Sequence, residues 1–131
     1  MNDRSVTSIA DIKESAQEFL RLAASGQARQ AYATYVGPGF RHHNPFFRGD
    51  AESLMIAMED NAKKNPEKKL EIKRALQDGD LVAVHAWVKH NAGDRGAALI
   101  HIFRFQDWKI VELWDVGQPV PETSPNEYGM F

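Results

Sequence analysis

Apolar residues recur at helical spacing through the first half of the chain and at alternating spacing through the second. Ile9, Ile12, Ala16, Phe19, Leu20 and Ala23 fall on one face of a helix, with Thr7 or Ser8 as N-cap and Gly26 as the stop. A second helix from about Gln27 to Tyr35 places Ala28, Ala31, Tyr32 and Tyr35 on one side, and Gly37-Pro38-Gly39 ends it. Phe40 to Asn44 reads as a short strand closed by Pro45, which cannot donate to a central ladder. Asp50 reads as the N-cap of a third helix through Lys64, with Leu54, Met55, Met58 and Ala62 inward, and Asn65-Pro66 stops it.

From Lys68 the period becomes strand-like. Lys69 to Leu76, Leu81 to His90, Ala97 to Phe105 and Lys109 to Val116 are separated by short Asp/Gly/Asn-containing turns. Such short connections predict an antiparallel meander. Three helices against one curved antiparallel sheet make an α+β arrangement. The chain reads as one domain over residues 1–131, with a flexible start at 1–7 and an extended, proline-rich tail at 117–131.

Composition narrows the function classes. The 131 residues include 16 basic and 18 acidic side chains, for a net charge of −2, with no basic stripe to track nucleic acid. No cysteine is present, so disulfides, thiolate nucleophiles and cysteine-ligated metals are excluded. No continuously apolar stretch predicts a membrane span, and the expected location is the cytoplasm.

The last hairpin holds the candidate chemistry. A three-residue loop of Gln106, Asp107 and Trp108 pairs Phe105 with Lys109, His101 with Leu113 and Leu99 with Asp115. A two-residue loop sends Asp115 to the other face. The apolar pattern favours the longer loop, although Trp108 at positive φ is strained. In that register His101 and Asp115 are diagonal neighbours on a wall of Leu99, Phe103, Phe105, Val111 and Leu113, and Lys109 shares that face. A carboxylate and an imidazole in an apolar wall are costly in a mere core and useful in proton transfer. The opposite face carries Ile100, Ile102, Ile110 and Trp114, with Arg104 and Glu112 as an opposed charged pair. Three helices cover one face of a sheet, so a homodimer through the other is expected.

Other polar residues are less determined. His42 and His43 point to opposite faces of a strand, and the Pro45 bend leaves open which turns inward. His85 and Trp87 share a face of a strand that is apolar on both sides, so the face lining a cavity stays open. No spacing motif supports a metal set of His43, His85, His101 and Asp115, and none is assigned. Lys63 and Lys64 through Lys68 and Lys69 read as a solvated helix end and strand start.

The segments Arg41-His42-His43-Asn44-Pro45 and Ile110-Val111-Glu112-Leu113-Trp114-Asp115-Val116-Gly117-Gln118-Pro119-Val120-Pro121 resemble the SnoaL-like polyketide cyclases of the nuclear transport factor 2-like superfamily. The resemblance covers about residues 8–131, and the end of the chain is most similar to the bacterial subgroup called SnoaL-like aldol condensation-catalysing proteins. It implies a cone-shaped α+β roll with a deep apolar pocket. It also implies cofactor-free aldol cyclisation or a related proton transfer on a small carbonyl compound. Asp115 matches the family's general acid/base on the last strand, and His101 its partner on the preceding strand, hydrogen-bonding a carbonyl and stabilising enolate charge. The early strand beside the last brings His43 or Asn44 to the pocket. Tyr35, His85, Trp87, Leu99, Phe103 and Leu113 are the remaining expected substrate contacts. A non-catalytic binding protein or a dimerisation module on the same scaffold is the alternative.

Overall fold

The computed structural model describes residues 4–131, with side chains from residue 12 onward. The expected flexible start includes residues 1–3, which lie outside the described residues, as does the side chain of Ile9. Helix α1 spans Arg4–Ala24, so Thr7 and Ser8 lie within it and do not cap it. Ile12, Ala16, Phe19, Leu20 and Ala23 are buried along one face. The helix stops at Gly26, whose φ of +90° suits glycine. There Gln27 N–H donates to Leu22 O and Gly26 N–H to Ala23 O, a Schellman arrangement. Helix α2 (Ala28–Tyr35) buries Ala28, Ala31 and Tyr32. Helix α3 (Ala51–Lys64) is capped by Asp50, which accepts from Ser53 N–H at 2.9 Å and Ser53 Oγ–H at 2.8 Å.

Strand β1 (Val36–His42) starts earlier than the chain's turn residues suggest. It is an edge strand, where the missing N–H of Pro38 breaks no central ladder, and a register shift between Val36 and Arg41 absorbs the glycines. Strands β2 (Lys69–Asp78), β3 (Leu81–Lys89), β4 (Ala97–Gln106) and β5 (Lys109–Pro119) form the expected meander. The sheet order is β1-β5-β4-β3-β2, with β1 parallel to β5 and the rest antiparallel. The fold is mixed α+β, three helices on an open five-stranded sheet. Phe19, Phe103, Ile110, Leu113, Val82 and Val84 are fully buried between the layers. The Phe19 ring lies 5.2 Å from Tyr32 and 5.9 Å from Phe103. Each such side chain contributes about 1.5–3 kcal/mol by burial.

The β4–β5 hairpin corrects the expected register. The turn is only Asp107 and Trp108, both at positive φ (51° and 67°), and Gln106 pairs with Lys109. Phe105 pairs with Ile110, but Arg104 pairs with Glu112, so Val111 is the extra residue of a β-bulge. One residue added inside the strand restores the alternation that the longer loop was expected to supply. Beyond the bulge His101 stands directly opposite Asp115, and Leu99 opposite Gly117. Before the bulge the faces are exchanged: Ile110 is fully buried in the core and Lys109 is exposed. Ile110 is therefore not part of the outer apolar face.

The outer face keeps Ile100, Ile102 and Trp114. The tail also departs from expectation, since residues 117–119 continue β5 opposite Leu99, Ala98 and Ala97. The end of the chain then returns across the outer face. The Phe131 ring stacks on Trp87 at 5.1 Å and on His85 at 5.7 Å, and Met130 lines a groove with Ile100 and Val116.

Candidate active site

The inner face of the sheet and one face of α3 line an open-mouthed cavity of about 440 Å³. Helical spacing puts Leu54, Ala57, Met58 and Asn61 side by side on its wall. Leu99 and Val88 face them from β4 and β3, and Asp115 from β5. Asn44 and Phe47 come from the loop after β1.

Asp115 is half-buried, and both carboxylate oxygens accept from Asn44 Nδ2, at 3.3 and 3.2 Å. The Asn44 amide is oriented by its other end, because Oδ1 accepts Phe46 N–H at 2.9 Å. The loop itself is pinned by His42, which is buried: Nε2–H donates to Arg48 O at 2.5 Å and Nδ1 accepts Asn44 N–H at 3.1 Å. His42 is thus a saturated brace that carries Asn44 to the carboxylate.

His101 is buried beside Asp115, its ring stacked near Phe103 at 6.1 Å. Among the described residues its Nδ1 has no hydrogen-bond partner. Burial pushes the imidazole pKa down to about 4, Asp115 opposing and Lys68 reinforcing the shift. It is neutral at pH 7. The same burial raises the Tyr32 hydroxyl pKa, with Asp115 adding to the shift.

Several expected contacts stand elsewhere. His43 lies on the outer face, stacked on Trp114 at 5.1 Å, with Nε2 2.7 Å from Glu112 Oε2. Arg41 and Arg104 also donate to Glu112, each with Nε at 3.0 Å. The His43 hydrogen bond first, then those from the arginines, hold the Glu112 carboxyl down at about 2. The anticipated Arg104–Glu112 pair is thus part of a larger cluster. His85 and Trp87 also face outward, His85 against Arg74 and Trp87 with Nε1–H donating to Arg95 O at 2.8 Å. The reason is parity: Val82, Val84 and Ala86 take the inner face of β3, leaving odd-numbered residues outside. Tyr35 does not line the cavity. Phe103 and Leu113 are packed core beneath it. Asp115, Asn44 and Leu99 line the cavity, with His101 adjoining, and the set His43, His85, His101 and Asp115 is not assembled.

The cavity also holds polar residues that sequence reasoning missed. Lys68 is half-buried on its wall, and Nζ donates to Asn61 Oδ1 at 2.6 Å. Burial lowers its pKa. Alternation contained the signal, since Lys68 precedes Leu70 and Ile72 on the inward face of β2 by steps of two. His90 continues the inner face of β3 in the same way. Asp94 also lines the cavity and accepts His90 N–H at 2.9 Å and Gly96 N–H at 3.1 Å.

A profile of the SnoaL-like domain matches residues 16–113. No curated protein matches the chain. Among solved structures, a candidate polyketide cyclase from Bacillus cereus is 23% identical with a TM-score of 0.70, the alignment covering 82% of this chain and 74% of that one. AclR, a candidate hydroxylase from Streptomyces galilaeus, is 23% identical with a TM-score of 0.69, covering 84% and 90%. An NTF-2 like protein of unknown function from Burkholderia xenovorans is 18% identical with a TM-score of 0.71, covering 88% of each chain. At these identities the likeness is one of fold.

Proposed function

The chain belongs to the SnoaL-like domain family, and on that premise we propose that it is a cofactor-independent enzyme moving a proton beside a carbonyl. Intramolecular aldol cyclisation or an isomerisation would follow from that step. The observation that carries the reading is Asp115 on a cavity wall, directly opposite a buried neutral His101 and held by Asn44.

The Asp115 carboxylate takes a proton from carbon next to a carbonyl, and the released electron pair passes to the carbonyl oxygen as an enolate. In a cyclisation that carbon attacks a second carbonyl, and Asp115 returns the proton to the new alkoxide. Asn44 is a positioning residue: its donors orient the carboxylate and its carbonyl ties that orientation to the 43–48 loop. His101, neutral, offers a hydrogen bond to developing enolate charge after a small shift toward the ligand. Leu54, Met58, Leu99 and Val88 give the reacting carbon an apolar wall. A homodimer through Ile100, Ile102 and Trp114 belongs to the same reading, supported by the one-third exposure of Ile102 (36%).

The test is proton exchange at the α-carbon of small ketones and β-dicarbonyls in deuterated water, followed by NMR. Wild-type protein should accelerate exchange, and Asp115→Asn should lose about a hundredfold or more. Equal rates in the two proteins, or no acceleration by wild type, would remove the catalytic reading.

A further inference from the structure

The charged groups around the cavity are unequally satisfied. Asp94 accepts two backbone N–H groups and Asp115 accepts the Asn44 amide at both oxygens. Lys68 has three N–H donors, and among the described residues the single protein acceptor in reach is Asn61 Oδ1. Among the described residues no carboxylate lies within 4.0 Å of its amine, while arginines elsewhere in the chain are paired with Glu59 and Glu112. Asn61 holds the amine from the last turns of α3, and Lys68 N–H is anchored to Asn65 O at 2.9 Å. The cation is therefore positioned, half-buried and short of acceptors, on the same wall system as Asp115.

We propose that Lys68 is the anion-recognising residue of this cavity and that the ligand is a carbonyl compound carrying a carboxylate. The carboxylate binds the two unpartnered ammonium N–H groups, which leaves the carbonyl end to Asp115. The carbonyl half of this assignment rests on the acid/base reading above; the anionic half stands on Lys68 and Asn61. An anion arriving at Lys68 replaces the hydration that burial removes, so recognition is strongest for ligands with a formal negative charge. A neutral ester of the same shape lacks that interaction.

The experiment compares keto acids with their methyl esters, using levulinate and benzoylpropionate, by calorimetric titration at pH 7. Wild type should bind an acid at least about tenfold more tightly than its ester. Lys68→Met should abolish the preference, and Lys68→Arg should retain part of it. No acid preference in wild type, or a preference that survives in Lys68→Met, overturns the proposal. Borohydride treatment with levulinate, followed by mass spectrometry, needs no variant: a reduced adduct on Lys68 would mean a covalent imine and would also overturn it. Asp115→Asn should keep the acid preference while losing exchange. Loss of exchange activity throughout, with acid preference intact, would remove the catalytic reading alone.

Discussion

The imidazole of His101 is buried with Nδ1 unpartnered, which costs about 1–3 kcal/mol relative to an apolar group of the same shape. His101→Leu should therefore raise the melting temperature by about 4–11 °C while lowering turnover, measured by thermal unfolding and by the exchange assay. The pH dependence has a definite sign. With a pKa of about 4 folded against about 6.5 unfolded, the unfolded chain binds more protons between these values, so stability falls as pH drops from 6.5 to 4. The loss is on the order of 3 kcal/mol. Unfolding curves from pH 7 to 4 should show it in wild type, and His101→Leu should lack that component; identical slopes would refute the buried neutral state. Glu112 acts lower, with stability present above about 4.5 and lost toward 2. Asp115 and His101 were legible as polar residues sharing an apolar hairpin. Lys68 was masked by its charged neighbours, and His43 faces outward because β1 alternates without interruption, Phe40 and His42 being buried while Arg41 and His43 both reach Glu112.

At the scale of elements, the helices and the meander follow from spacing, caps and turn residues, whereas the hairpin's register does not. A bulge and a longer loop both insert one residue and so restore the same alternation. Only the pairing of β5 with both β4 and β1 selects the bulge at Val111. The β3–β4 connection is equally constrained. Gly96 has φ of +79°, and a Cβ there would stand 2.3 Å from Val88 O and 2.6 Å from Trp87 Nε1. Gly96→Ala should destabilise the protein by about 2 kcal/mol or more, read by denaturant unfolding, and should displace Asp94 from the cavity rim.

For the whole molecule, the unexpected feature is the return of the chain's end over the outer sheet face. Phe131 stacks on Trp87 and His85, and Lys73 Nζ lies 5.4 Å from both the Trp87 and Phe131 rings. Removing residues 129–131 should expose Trp87 and strengthen self-association through the outer face, measured by sedimentation velocity. Unchanged association would mean that the tail and the proposed dimer surface do not compete. That the outer face needs a cover followed from its isoleucines. What supplies part of the cover did not, because a proline-rich tail has no periodicity from which a docking site can be read.

The order of helices and strands, the capping of α3 by Asp50 and the presence of a carboxylate and a histidine within one apolar hairpin were determined by local pattern, since spacing and capping act over a few residues. The direct opposition of His101 and Asp115, the inward turn of Ile110 and the entry of Lys68 into the cavity were decided only by the tertiary structure. Each depends on which face of a strand is turned inward. That choice is made by the summed burial of a sheet packed against its helices and is not contained in any one segment.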